Sequence, residues 1–135
     1  MTIADRTSTL SAARPNGRQP RILVIEDDRH VRTLLCDALE TWGYTAEAAP
    51  NGREGLALFD PGAYDLVLTD LTMPEVSGLD VVAEVRDRDR SVAVIVFTGS
   101  MRNLDPEGRR LDFRVLYKPL DMEGLRRALH DSLAR

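Results

Sequence analysis

The stretch YDLVLTDLTMPEVSG, Tyr64 to Gly78, decides the fold. Asp65 to Thr69 contains the apolar run Leu66-Val67-Leu68, and the run ends on an acid, Asp70. Consecutive apolar residues put hydrophobic side chains on both faces of a strand, which is the pattern of a parallel sheet covered on both sides. Asp70 stands where the strand gives out, a Met73-Pro74 turn follows, and a helical pattern opens at Glu75. Ligands of open α/β sheets bind at the carboxyl ends of the strands. A carboxylate there is a metal ligand, a nucleophile or both; its plain alternative is a helix or turn cap.

Outward from this stretch the pattern repeats. Arg21 to Ile25 is a second two-sided apolar strand, and it runs into Glu26, Asp27 and Asp28. Val31, Leu34, Leu35, Ala38, Leu39 and Trp42 follow at helical spacing, with Asp28 as N-cap and Gly43 as the stop. Tyr44 to Ala48 is a weaker strand. Asn51 and Glu54 have the spacing of a capping box, ahead of a helix carrying Leu56 and Phe59. After the central strand, Val76, Leu79, Val82, Ala83 and Arg86 lie at helical spacing. Val92 to Phe97 is a nearly continuous apolar strand ending in Thr98-Gly99-Ser100. Residues 101–112 carry a weak helical signal, opened by Asp105-Pro106-Glu107 and weakened by Gly108. Phe113 to Tyr117 is the last strand and ends in Lys118-Pro119; Asp121 caps a helix with Leu125, Ala128, Leu129 and Leu133 inward. Strand and helix alternate five times, so the expected fold is α/β: a five-stranded parallel sheet in the order 2-1-3-4-5, a flavodoxin-like doubly wound (βα)5.

Composition narrows the function. The 135 residues fit one domain, read as 21–135 after a flexible leader at 1–20 that is rich in Ser, Thr, Ala, Arg, Pro and Gly. A net charge of −4 gives no electrostatic basis for direct nucleic-acid or membrane binding. The run from Arg86 to Arg90 alternates sign and reads as the solvated end of a helix. A single cysteine, Cys36, excludes an internal disulfide and a CxxC zinc cluster and reads as an inert helix thiol. With no membrane-length apolar run and no signal-type N-terminus, the expected location is cytoplasmic. His30 and His130 read as solvated, Trp42 and Tyr117 as packing residues.

The strand ends carry the chemistry. Parallel strands place Glu26, Asp27 and Asp28, then Asp70, Thr98 and Lys118, on one rim. Crowded carboxylates raise one another's pKa unless a cation sits among them. Their hard oxygens suit Mg²⁺, which takes one or two carboxylates plus phosphate oxygens. A carboxylate can itself accept a phosphoryl group, with the metal, an ammonium and a hydroxyl offsetting the charge that is transferred.

These residues carry a resemblance. Ile25-Glu26-Asp27-Asp28, Thr69 to Pro74 with Gly78, Phe97-Thr98-Gly99 and Tyr117-Lys118-Pro119 occur in order at successive strand ends, and together they resemble the receiver domain of two-component response regulators. The resemblance spans Arg21 to Arg135. It implies Asp70 as phosphoacceptor and a Mg²⁺ (or Mn²⁺) site formed by Glu26, Asp27, Asp70 and the backbone carbonyl of Thr72, with Asp27 the direct acidic ligand of the pair and Glu26 acting through water. It implies Thr98, Gly99 and Lys118 as the phosphate-binding and switch group. Pro74, Gly78 and Pro119 keep structural turn and packing roles, and the Lys118–Pro119 bond is expected to be cis. Thr72 and Ser100 flank the acceptor and are expected to tune the lifetime of its acyl phosphate. The donor would be a histidine kinase or a histidine phosphotransfer protein. With no DNA-binding module read after Arg135, a stand-alone receiver is expected, acting on an output partner that the sequence does not name, with a phosphorylation-dependent dimer as one form of output.

Two positions depart from that family. Val115 stands where receivers carry an aromatic, and residues 100–112 are short and poor in helix formers. The expectation is intact chemistry with a non-standard switching surface around Thr98, residues 100–112 and Val115. The rival enzyme reading is a haloacid-dehalogenase-like phosphatase with Asp70 as nucleophile. That chemistry needs a second acid where Thr72 stands. A flavodoxin-like cofactor binder would need a phosphate loop where three acids stand.

Overall fold

A computed structural model describes residues 18–100 and 102–134. Most of the segment read as a leader, residues 1–17, lies outside the described residues. The sheet is built from β1 (Arg21–Ile25), β2 (Thr45–Ala49), β3 (Leu66–Asp70), β4 (Ala93–Thr98) and β5 (Arg114–Tyr117). All neighbours pair in parallel, in the expected order β2-β1-β3-β4-β5. The helices are α1 (Arg29–Thr41), α2 (Gly52–Leu58), α3 (Gly78–Arg88), α4 (Asp105–Leu111) and α5 (Met122–Leu133).

The two-residue period of the strands divides the core. Leu23, Ile25, Val67, Val94 and Val96 face α2, α3 and α4, where they meet Val81, Val82, Val85 and Leu104. Ile22, Val24, Leu66, Leu68, Ile95 and Phe97 face α1 and α5, where they meet Leu35, Leu39, Leu125, Ala128 and Leu129. Every residue of β3 is buried, as a central strand covered on both faces requires. Local caps set the helix starts. Asp28 accepts from the amides of His30 and Val31, Asn51 from Glu54, and Asp121 from Glu123. Gly43, with φ of 95°, follows the end of α1 in the left-handed region that glycine adopts without a Cβ penalty.

Several sequence expectations are corrected. The third helix starts at Gly78, not at Glu75: Glu75 has φ of 67°, and Ser77 provides the cap by accepting from the Asp80 amide. Its buried face is Val81, Val82 and Val85, whereas Ala83 is exposed, because the later start rotates the face that meets the sheet. The Arg86–Arg90 run is not simply a solvated helix end. The Arg86 guanidinium donates to the carbonyls of Leu111 (2.7 Å) and Asp112 (2.7 Å), and also to those of Asp89, Arg90 and Val92. It thus ties the end of α3 to the end of α4. Leu34 is 58% exposed and Tyr117 53% exposed, so neither packs as expected; Tyr117 lies on the edge strand, where one flank has no neighbour. Residues 105–111 do form a helix, but it buries none of its side chains and has no side-chain N-cap.

Candidate functional site

The rim at the carboxyl ends of β1, β3, β4 and β5 assembles the residues singled out above. Asp70 closes β3 and is 2% exposed. Its Oδ1 accepts from the Thr72 amide at 3.0 Å, and its Oδ2 accepts from Lys118 Nζ at 3.0 Å. Lys118 follows β5, its peptide bond to Pro119 is cis, and its backbone amide donates to the Thr98 carbonyl at 2.8 Å. The Thr98 side chain is buried, and its Oγ1 accepts from the Ser100 amide at 3.0 Å. Gly99 is exposed, and a methyl group placed on its Cα would stand 3.9 Å from the Lys118 side chain. Thr72 is exposed, Ser100 half-buried and Pro74 exposed. Gly78 is buried, with its amide donating to the Leu71 carbonyl at 2.8 Å.

The acid pair arrives from β1. The Glu26 amide donates to the Ala49 carbonyl at 3.1 Å, which continues the β1–β2 ladder one residue past the strand and turns the Glu26 side chain inward. Glu26 is 1% exposed. Its Oε2 accepts from the Asp28 amide at 2.7 Å, but its Oε1 is buried with no partner. Burial, with Asp70 as neighbouring charge, pushes the Glu26 carboxyl up to about 7. Asp28 points away and caps α1, and these amide bonds hold its carboxyl below the usual range. Asp27 is exposed.

Glu26, Asp27 and Asp70 each offer a carboxylate oxygen, and the three oxygens lie within 4.8 Å of one another. Only Lys118 among cationic side chains pairs with any of them among the described residues. An orphaned buried oxygen beside two further carboxylates fits a small divalent cation with a preference for oxygen ligands. One contributor was not found from sequence. Arg32 Nη1 donates to the carbonyl of Glu26 at 2.9 Å and lies 3.5 Å from that of Asp27. Its only sequence signal is its position one turn into α1 after the acids.

Comparison with known proteins agrees with this geometry. The family model described as response regulator receiver domain matches residues 22–130. The transcriptional regulatory protein ZraR of Klebsiella oxytoca is 33% identical over 124 residues, covering 88% of this chain and 27% of that protein. The chain spans between about a quarter and under half the length of the curated relatives it matches. Among solved structures, response regulator TrrA of Thermotoga maritima in complex with Mg²⁺ and BeF is 32% identical with a TM-score of 0.76, covering 84% of this chain and 98% of that one. A response regulator receiver domain protein of Clostridium thermocellum is 30% identical with a TM-score of 0.77, covering 86% and 95%. Nothing in these matches favours a phosphatase, and the position that chemistry needs as an acid is Thr72.

Proposed function

The chain belongs to the response regulator receiver domain family, and on that premise we propose that Asp70 is its phosphoacceptor, charged by the phosphohistidine of a histidine kinase or histidine phosphotransfer protein. The observation that carries this reading is the buried Asp70 carboxylate held between the Thr72 amide and the Lys118 ammonium, beside the unpaired oxygen of Glu26. Asp70 attacks phosphorus, a P–O bond forms, and the P–N bond to the donor imidazole breaks. Glu26, Asp27, Asp70 and the Thr72 carbonyl would hold Mg²⁺, which when bound supplies positive charge against the phosphoryl oxygens.

The chain's own groups do the rest. Lys118 neutralises charge on the phosphoryl group, and the Thr98 hydroxyl donates to it. Thr98 Oγ1 accepts from the Ser100 amide in this structure, so recruiting that hydroxyl disturbs the start of the segment that leads into α4. That segment borders a groove of about 570 Å³ lined by Leu104, Gly108, Phe113, Val115 and Tyr117, among others. The small Val115 side chain helps leave the groove open, and the signal passes to the output partner from this surface. Thr72 and Ser100 flank the acceptor and set how readily water reaches the acyl phosphate.

Acetyl phosphate with Mg²⁺ should add one phosphoryl group to the wild-type chain, read by intact mass. Asp70→Asn should abolish the addition, and chelation should prevent it. Undiminished labelling of the variant would remove Asp70 from the mechanism.

A further inference from the structure

Arg32 sits close to an acid cluster yet makes no ion pair among the described residues. Its guanidinium is directed instead at backbone oxygens, those of Glu26 and Asp27. These two peptides carry the two acids that β1 delivers to the rim. The loop is tied at three further points: the Glu26 amide to Ala49, the Asp28 amide to Glu26 Oε2, and Asp28 Oδ1 to the first amides of α1. The Asp28 amide already orients the planar Asp27–Asp28 peptide, but none of these bonds holds the Glu26–Asp27 peptide or meets either carbonyl oxygen directly. Arg32 does, and because its amide donates to the Asp28 carbonyl at 2.9 Å, it does so from the first turn of α1.

We propose that Arg32 is a positioning residue for the cation site. Its guanidinium holds the Glu26 and Asp27 carbonyls so that both side chains project toward Asp70, and by engaging carbonyls it leaves the carboxylate oxygens free for a divalent ion. This rests on the proposed Mg²⁺ site, and it makes a prediction opposite in sign to simple electrostatics. Removing a positive charge near a cation site should tighten Mg²⁺ binding through Coulomb's law. Removing a group that orients the ligands should weaken it, typically by about 10- to 100-fold.

The test is Mg²⁺ titration of the full chain by calorimetry for wild type, Arg32→Gln and Arg32→Lys. Arg32→Gln should raise the Mg²⁺ Kd by about tenfold or more, and Arg32→Lys, which keeps the charge and one donor, should fall between it and wild type. In acetyl phosphate labelling, the Mg²⁺ concentration for half-maximal rate should rise by the same factor while the rate at saturating Mg²⁺ stays within about twofold, since Asp70, Lys118 and Thr98 are untouched. A merely structural role would lower the melting temperature in chelator and leave the Kd alone, and that result overturns the proposal. So does tighter binding by Arg32→Gln. If the glutamine variant does not fold, the lysine variant decides, with unchanged Kd overturning the proposal. Failure of the wild-type chain to bind Mg²⁺ overturns the underlying site as well, and is thereby distinguishable from failure of the Arg32 argument alone.

Discussion

Glu47, Asp65 and Asp89 meet their partners toward the amino ends of the strands, while Glu26, Asp27 and Asp70 gather at the carboxyl ends. Glu47 accepts from the Tyr64 hydroxyl at 2.6 Å and pairs with the Arg21 guanidinium. Asp65 accepts from the Arg21 amide at 2.8 Å. Asp89 accepts from the amides of Gly62, Ser91 and Val92 and from the Ser91 hydroxyl. On the rim, by contrast, one lysine serves a cluster of three acids and a buried oxygen of Glu26 has no partner. These three structural carboxylates are satisfied, whereas the rim cluster is left short; away from the cluster, Glu107 on α4 also keeps one buried oxygen without a partner, though its other oxygen pairs with Arg102. A buried polar group without a partner costs free energy, so the rim is less stable than it could be, and a cation relieves the deficit.

The largest effect is expected at Gly78, on the rim. A Cβ there would overlap the Asp70 carbonyl oxygen and stand 2.6 Å from Leu71 Cα, and both obstacles are backbone that cannot rotate aside. Gly78→Ala should therefore destabilise the chain by about 3 kcal/mol, read by urea unfolding, and should reduce acetyl phosphate labelling of the molecules that remain folded. Gly99→Ala is the matched control on the same rim. Its Cβ would meet nothing nearer than 3.9 Å, so its stability should stay within about 0.5 kcal/mol of wild type. Equal effects at the two glycines would mean that close approach of α3 to the acceptor is not what holds Asp70 in place.

Arg86 probes the opposite end of the sheet. Its guanidinium answers carbonyls from α4, the turn after α3 and the start of β4, more carbonyls than Arg32 meets on the rim. Arg86→Gln should cost about 1–3 kcal/mol, and amide exchange should rise chiefly over residues 105–115, because α4 has no buried side chain to hold it once the clamp is lost. Exchange that rises evenly across the sheet would show that the clamp supports the whole domain rather than the α4 segment.

How much of this was legible follows from which forces write themselves into local sequence. The two-sided runs of β1 and β3 read correctly because covered parallel strands are apolar throughout, and the caps at Asp28, Asn51 and Asp121 read correctly because they act within a few residues. The acid rim was also legible, since parallel topology alone brings strand ends together. The true start of α3 was missed although its cap is local: Ser77 accepts from the Asp80 amide, but the positive φ of Glu75, which holds the helix off until Gly78, has no mark in a glutamate. Arg86 and Arg32 were missed for a shared reason. Their partners are carbonyl oxygens, which every residue has, so no partner residue type marks the contact. Tyr117 and Leu34 carry the right character at the right spacing, but the neighbour each would pack against is absent from that face among the described residues.

The smallest expected effect is a pH dependence at the satisfied end. The Tyr64 hydroxyl, and after it Arg21, hold the Glu47 carboxyl below its ordinary value against the opposing effect of burial. Burial, with Glu47 adding to it, pushes the Tyr64 hydroxyl up to about 12, so it remains a donor throughout the neutral range. A carboxyl whose pKa is lower in the folded than in the unfolded chain stabilises the fold above its unfolded value, near 4.5, and that contribution is lost as pH falls through the folded value. Glu47 is 39% exposed at its side chain, so solvent screening keeps the gain below about 1 kcal/mol. Tyr64→Phe removes the leading cause. The stability gap between wild type and variant should be constant from about pH 6 upward and should narrow as pH falls below the unfolded value, because the lost hydrogen bond matters only while Glu47 is ionised. Taking the difference between two chains that share all other carboxylates isolates this pair from the general acid unfolding. A gap that holds its size at low pH would mean that the Tyr64 hydroxyl contributes independently of the charge on Glu47, since the variant keeps the ring and its stacking on Phe59.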